Sequence, residues 1–448
     1  MITRCLLLSI LLYTFSSPVA AQTAEKWDLK KCIDYGMEHN ISVRQADVQA
    51  RISAMTYRQS QLGLYPVLNV QNSAGFQFGR SIDPVSNQFT NQHFFSANHS
   101  VNANVDLFNW FSKTNAVAAN KYASQAADAG IDKAKNDVAL NIANAYLQIL
   151  LNAEQINISE VQVKQSAEQV RTVKIQVDAG SLPELNLAEL ETQLANDSSN
   201  LITANSNYVL SVLQLKAILN IAADAPFDVA IPPVESIPID PLSELDPAAV
   251  YKLAEVNMPQ QQINLLNLKA AQRNARSLKG NLYPALGLFG SVDTRYSDQT
   301  AIPGITKNSY FRQLNENFGQ AVGVSLSIPV FNGNVNRTNW NKAKLNIVSV
   351  ELQSELDAQT LKQDIWQAYT NAVAALQKFH ASQTGVVNSQ KAYDFAKARF
   401  DIGLLNSLDL ITNQNNLFRA KINLVLAQYD YVFKMKLLEF YKGQGLRL

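Results

Sequence analysis

From residue 97 to 107 the chain reads "ANHSVNANVDL". Ala97, His99, Val101, Ala103, Val105 and Leu107 fall on one face, and Asn98, Ser100, Asn102, Asn104 and Asp106 on the other. A period of two marks a strand whose faces meet different surroundings. "QAVGVSLSIPVF" repeats it, with Val322, Val324, Leu326, Ile328 and Val330 opposite Ala321, Gly323, Ser325, Ser327 and Pro329. "VLNVQNSAGFQF" and "ALGLFGSVDTRY" are their expected partners, giving β-hairpins over 67–107 and 285–331. Long polar loops, at about 79–94 and 297–317, are expected to close them. Asp293 and Arg295 share a strand face, expected to be the watery one.

Elsewhere the period is helical. "LKKCIDYGMEHNISVRQADVQARISAMTYRQSQLG" predicts one amphipathic helix, ended by Tyr65-Pro66, because a residue before proline is pushed out of the α region. Two runs without proline follow the strands, at 112–178 and 335–401. At 1.5 Å per residue each would be a helix of roughly 100 Å. Ala139, Ile142, Tyr146, Ile149, Ala153 and Ile156 recur at heptad spacing, the seam of a coiled coil. Val163, Ala167, Val170 and Val177 suggest a second stripe. Each run ends in a glycine phrase, "VDAGSLPELNLA" or "FDIGLLNSLDLI", and a return helix is expected after it, at about 184–220 and 407–442. Each phrase then reads as the turn of a helical hairpin.

The two phrases belong to a larger duplication. Gly403 follows Gly180 by 223 positions, and the same offset relates Phe108-Asn109 to Phe331-Asn332, Ala145-Tyr146 to Ala368-Tyr369 and Leu194 to Leu417. The repeats are expected over 22–221 and 248–448, joined by a linker at 222–247 that holds six prolines. Proline fixes φ and lacks a donor, so this segment should be extended.

Composition narrows the setting. Arg4, the apolar run "CLLLSILLYTF" and "SSPVAAQ" read as a signal peptide over residues 1–21, cleaved after Ala21. The 448 residues carry a formal charge of +1 and no basic block, which gives no reason to expect nucleic acid as a partner. After the leader only Cys32 remains, so no internal disulfide is possible. His39, His93, His99 and His380 are scattered, and no catalytic, metal or nucleotide motif occurs. Catalytic residues, metal and cofactors are all expected to be absent. His99 reads as a packing or lipid-interface residue.

An exported chain without an apolar helical span is either soluble outside the cytoplasm or inserted as strands. Four two-faced strands fit an outer-membrane barrel but cannot close one, since about eight are needed. Two copies would pool eight strands and three would pool twelve; a conducting pore favours three or more. Four ordinary strands in an exported coiled-coil structural protein without channel activity is the competing reading.

The layout resembles the TolC-like outer-membrane efflux protein family over essentially the whole mature chain. The matching stretches are "WDLKKCIDYGMEHN", "LYPVLNV" with "LYPALGL", "LSIPVFNGN", and the pair "AGSLPELNLA" and "IGLLNSLDLI". The resemblance implies an α+β membrane protein, a homotrimer whose long helical hairpins form a periplasmic α-barrel. Its four strands per chain would contribute to a shared 12-stranded β-barrel among outer-membrane lipid. It also implies an exit duct of a tripartite efflux or type I secretion system, passively conducting what an inner-membrane transporter and a periplasmic adaptor deliver.

The glycine phrases would be the periplasmic tips, with Gly180, Ser181, Leu182, Gly403, Leu404 and Leu405 as adaptor contacts. For the pore constriction the family pattern points to Asn186, Phe400, Asp409 and Thr412. Only Asp409 keeps the acid found there in the family; Thr412 replaces an aspartate, Phe400 a tyrosine, Leu405 a basic residue and Asn186 an acid. Apolar contacts among Phe400, Leu404 and Leu405 are therefore expected to hold the tip in place of polar bridges. Asp409 also reads as a first-turn acid meeting the helix dipole, with Asn406 or Ser407 as cap, and Leu182 and Leu405 also read as core residues under the turn.

Overall fold

The computed structural model describes residues 26–82, 89–233, 241–242, 245–298 and 309–443. The expected signal peptide lies outside them, as do parts of the linker. The elements, in chain order, are α1 (Leu29–His39), α2 (Ile41–Leu62), β1 (Val67–Ile82), β2 (Phe89–Phe108), α3 (Ser112–Asp178) and α4 (Glu184–Ile218). Then come α5 (Pro247–Asn257), α6 (Pro259–Gly280), β3 (Ala285–Ser297), α7 (Tyr310–Glu316), β4 (Gly319–Ser327), α8 (Val335–Asp401) and α9 (Ser407–Lys442). The two longest helices have 67 residues each, and their bounds are the two proline-free runs read from the sequence. Two compact units cut across the repeats: a strand-bearing unit of residues 45–134 and 255–362, and a helical unit built from the rest.

In the strand-bearing unit the four strands form one antiparallel sheet in the order β1-β2-β3-β4. Its register puts Val70, Val101 and Val292 in one row and Leu288 opposite Val324. Cross-strand partners share a face, so the apolar residues of all four strands lie together. Leu68, Val70, Val322, Val324 and Leu326 are largely exposed. On the other face Phe289 stands opposite Gly323; a Cβ on Gly323 would lie 2.6 Å from its ring.

The loops are shorter than expected. Residues 79–82 and 89–94 continue β1 and β2, whose ladder runs to Ile82 opposite Phe89. The Asn, Gln and Phe mixture there reads as loop by composition, yet backbone pairing carries it. The region 297–317 contains the short helix α7, stitched to the top of β3. Gln313 accepts from the Ser297 N–H at 3.0 Å and donates to its carbonyl at 2.9 Å, while Asn317 donates to the Arg295 carbonyl at 2.8 Å. These side chains occupy the edge of β3 above Asp293, where β4 begins at Gly319. His99 bridges Asn72 and the Tyr310 hydroxyl, both at 2.7 Å, which makes it a packing residue. At its far end β4 stops at Ser327, short of the expected Phe331; Pro329 has no N–H to continue a ladder.

At the sheet's lower end the two repeats build one turn from opposite residue types. Trp110 and Phe111 have φ of 50° and 61°, and Gly333 and Asn334, their counterparts, have 65° and 64°. Left-handed backbone costs a bulky residue roughly 1–2 kcal/mol, while glycine and asparagine adopt it readily.

The first expected helix is two. Asn40 breaks it, its side chain accepting from Ser42 N–H at 2.8 Å and donating to the Ile218 carbonyl at 2.7 Å. In the second repeat Pro259 makes the same break, with Met258 held extended at φ −75°, ψ 125°. In the helical unit Ile142, Tyr146, Ile149 and Ala153 are buried as the heptads require, and Ile156 is half-buried. Gly36 lies so close that a Cβ there would sit 2.3 Å from Ile142 Cδ1. The proline-rich segment opens with a turn, the Ala225 N–H bonding the Ala222 carbonyl at 3.1 Å, and residues 226–233 then run without helix and are tied down: Val229 bridges Trp27, and the Tyr146 hydroxyl donates to the Ala230 carbonyl at 2.5 Å.

Cys32 is wholly buried, and burial, with Asp28 beside it, pushes its thiol up to about 12. The thiolate is the reactive form. Native protein at pH 7.5 is therefore expected to leave Cys32 unmodified by maleimide, and denatured protein to modify it fully, read by mass spectrometry.

Candidate functional site

Both hairpin turns close by one geometry. Gly180 and Gly403 have φ of 72° and 75°. The Ser181 N–H returns to the Gln176 carbonyl at 2.8 Å, and Leu404 N–H to the Arg399 carbonyl at 2.8 Å. This six-to-one bond is the Schellman ending, which places glycine at the left-handed position. A Cβ on either glycine would meet nothing within 4 Å, so backbone conformation alone asks for glycine. Beyond the turn Pro183 starts α4. Asn406 caps α9, accepting from the Asp409 N–H at 2.7 Å.

Beneath the turns lies an apolar cluster drawn from both hairpins: Val173, Leu190, Phe400, Leu410, Ile411 and Leu417, with Tyr393 and Ala396. Leu182 and Leu405 pack against it from equivalent places in the two repeats. Of the residues read as tip contacts, Gly180, Ser181, Gly403 and Leu404 are exposed, while Leu182 and Leu405 sit under their turns. Asp409 and Thr412 are exposed, Asn186 is half-buried and Phe400 is buried in the cluster. Ile402, Leu185 and Leu408 are exposed apolar residues beside the turns that the sequence reading passed over. Leu185 and Leu408 obey the 223-residue offset, a signal that could have found them.

Above the cluster the buried face of α3 turns polar. The expected second stripe forms in part: Val170 and Val177 pack against the apolar cluster and Val163 is half-buried, but Ala167 is exposed, and Ser159, Gln162, Ser166 and Val173 are the buried positions. The buried positions have slipped one residue back from the heptad seam, and of their polar occupants Gln162 and Ser166 find partners on facing helices. Asp197, 2% exposed, is the centre. It accepts from Ser166 Oγ at 2.5 Å, Gln193 Nε2 at 2.8 Å and Gln162 Nε2 at 3.4 Å. Gln414 on α9 donates to Ser166 Oγ at 2.9 Å, and Gln193 and Asn415 exchange amide bonds at 3.0 and 3.2 Å. Gln165 and Gln169 reach the Tyr393 hydroxyl on α8. Nearer the turns Ser407 donates to Asn186 Oδ1 at 3.2 Å and to Glu189. The two hairpins of one chain are thus joined by an apolar layer and by polar layers flanking it.

Among the described residues no helix is long and apolar enough to cross a membrane.

Comparison with known proteins agrees with this architecture. A family profile described as "Outer membrane efflux protein" matches residues 36–220 and 250–442. "Outer membrane protein TolC" of Escherichia coli K12 is 25% identical over 303 residues, 65% of this chain and 58% of that protein. The match with its Salmonella enteritidis counterpart spans 60% of that protein's length. "Outer membrane protein TolC" of Vibrio cholerae is 22% identical over 96% of this chain and 92% of its own. Among solved structures, the outer membrane protein VceC of Vibrio cholerae superposes with a TM-score of 0.77 at 17% identity, covering 94% of this chain and 97% of that one. The open-state MtrE outer membrane channel of Neisseria gonorrhoeae gives 0.72 at 21% identity, covering 93% and 88%. The chain therefore belongs to the outer membrane efflux protein family, whose members lie in the outer membrane with their helical part in the periplasm.

Proposed function

We propose that this protein is the exit duct of a tripartite efflux or secretion system. The observation that carries this reading is the open sheet. Among the described residues the four strands leave β1 and β4 as unpaired edges, and an edge within lipid is untenable. Strands from further copies must pair with them. Three copies give a 12-stranded barrel, wide enough for an aqueous lumen where eight strands would be filled by their own side chains. The duct does no catalysis and conducts passively what an inner-membrane transporter, working through a periplasmic adaptor, delivers.

The exposed turn residues Gly180, Ser181, Gly403 and Leu404, with Leu185, Ile402 and Leu408 beside them, form the surface offered to adaptor hairpins. Leu182 and Leu405 shape it from beneath. Asp409 and Thr412, exposed on the first turns of α9, are the constriction residues that face solvent. Asn186 and Phe400 hold the helices that carry them.

Detergent extraction tests the reading. The mature protein should require detergent, run as a trimer by native mass spectrometry and give conducting events in planar bilayers. Release by salt alone as a monomer would defeat it and favour an exported coiled-coil protein. Asp409→Ala is expected to weaken block by divalent cations several-fold and leave the closed state closed. Single-channel recordings showing a wide-open pore in that variant would overturn the apolar account of closure.

A further inference from the structure

We propose that the Trp110–Phe111 turn is a membrane-interface anchor, seated at the headgroup boundary of the phospholipid leaflet on the periplasmic side. The proposal rests on reading the strands as membrane-spanning and adds where the bilayer ends on them.

The first observation is the exchange of residue types between repeats. Gly333 and Asn334 make this left-handed turn without strain, whereas Trp110 and Phe111 make it against their own preference. The backbone is the same in both places: Asn115 N–H bonds the Phe111 carbonyl at 2.9 Å, and Thr338 N–H bonds the Asn334 carbonyl at 2.9 Å. The turn therefore does not need these rings, so the rings are there for something beyond the turn. The strained copy is also clamped. A Cβ on Gly280 would lie 3.0 Å from the Trp110 carbonyl and 2.9 Å from Ser112 Cβ, so α6 presses its backbone against the turn.

The second observation is a β-bulge. The β2–β3 register slips between Asp106 and Phe108, leaving Phe108 opposite Leu286. Without the slip Phe108 would face the polar side; with it, the ring shares the apolar face of Leu286. Bulges re-aim side chains in this way. Phe108 then meets Trp110 at 5.5 Å and Phe111 at 5.6 Å, and Trp110 meets Tyr283 at 4.8 Å, centroid to centroid. Despite these contacts Trp110 is 43% and Phe111 62% exposed, so the cluster does not serve to bury itself.

The third observation is a second ring chain at the other end of the same face. Phe76 meets Phe95 at 5.3 Å, Phe95 meets Tyr296 at 6.2 Å, and Tyr296 meets Tyr310 of α7 at 4.9 Å. Leu286 and Tyr296 bound the stretch of β3 between the two clusters, ten residues apart. At about 3.3 Å per residue that is roughly 33 Å along the strand, or about 25 Å of height at a tilt near 40°. The apolar band of an outer-membrane barrel is about 25 Å tall and flanked by aromatic girdles. A ring with a polar edge suits the boundary between acyl chains and headgroups, and the cluster is continuous with the apolar strand face.

Full-length protein reconstituted into phosphatidylcholine vesicles tests this. The acyl chains are brominated at carbons 6 and 7 or at carbons 11 and 12, and Trp110→Phe is run beside the native protein. The emission lost in Trp110→Phe is the Trp110 signal. It should be quenched at least twofold more strongly by the shallow label. Equal emission in brominated and plain lipid would mean the ring is covered by a second copy of the chain, and stronger deep quenching would place it inside the bilayer. Either result overturns the anchor while leaving the spanning reading intact, provided the protein floats with the vesicles. Failure to float would defeat both. The double variant Trp110→Gly, Phe111→Asn, which copies the second repeat's turn, should keep or raise its unfolding midpoint in detergent and lower it in vesicles. A fall in both would assign the rings a packing role and overturn the anchor.

Discussion

Leu410→Ala is expected to cost about 2–5 kcal/mol, the range for removing a buried leucine whose surroundings relax incompletely. Leu410 is 1% exposed and belongs to the cluster shared by both hairpins. The cavity would open between α9 and helices of the other hairpin, so the damage should concentrate at the turns. Hydrogen exchange at 173–190 and 396–417 should accelerate before exchange elsewhere in the helical unit. Conductance at rest should rise if this layer helps to hold the tip closed. Leu404→Ala is the matched control. Leu404 is 65% exposed, and its loss should stay within about 0.5 kcal/mol, although adaptor binding should weaken. Equal destabilisation by the two substitutions would show that the cluster does not hold the tip.

Asp197→Ala is expected to be nearly as severe, at about 3 kcal/mol. The side chain accepts from Ser166, Gln193 and Gln162, and each buried donor left without a partner costs on the order of 1–3 kcal/mol before rearrangement. Asp197→Asn keeps one oxygen and should lose less. The stronger test is a double-mutant cycle. Gln414 is linked to Asp197 through Ser166 Oγ, and Gln414→Ala and Asp197→Ala should couple by more than about 0.5 kcal/mol if the layer acts as one network. Simple additivity of the two losses, measured by unfolding in detergent, would contradict that.

The long helices were legible because their boundaries rest on chemistry that acts locally. Proline is absent from 112–178 and 335–401, and a glycine able to take positive φ follows each run. The break at Asn40 was not legible. An asparagine side chain there does what Pro259 does in the second repeat, and its partner, the Ile218 carbonyl, lies 178 residues away. The extra length of β1 and β2 was hidden because Asn, Gln and Gly are shared by loops and by water-facing strand positions. The polar layer around Asp197 escaped for a related reason. Following apolar residues along α3 leads to Ala167, which is exposed, and away from Ser166, which is wholly buried. Of the candidate site, the turns and the core positions of Leu182 and Leu405 could be read from the duplication. The contacts between hairpins could not, since they depend on how helices pair across the fold. The bulge that turns Phe108 was equally invisible, because strict alternation assigns that face to Leu107.

The contacts between the two hairpins have a consequence for how they respond to their surroundings. Val173, Leu190, Phe400 and Leu410 meet without polar atoms, and the layers beside them join hydroxyls and amides to Asp197 and Glu189. None of these bonds pairs a lysine or arginine with an acid. Exposed ion pairs loosen as dissolved ions shorten the Debye length; these buried contacts have little for such ions to screen. The seam should therefore be nearly indifferent to ionic strength. Temperature acts on it differently, since apolar association weakens on cooling. A cold, dilute medium would test the apolar layer first, and a warm, salty one would leave both layers in place.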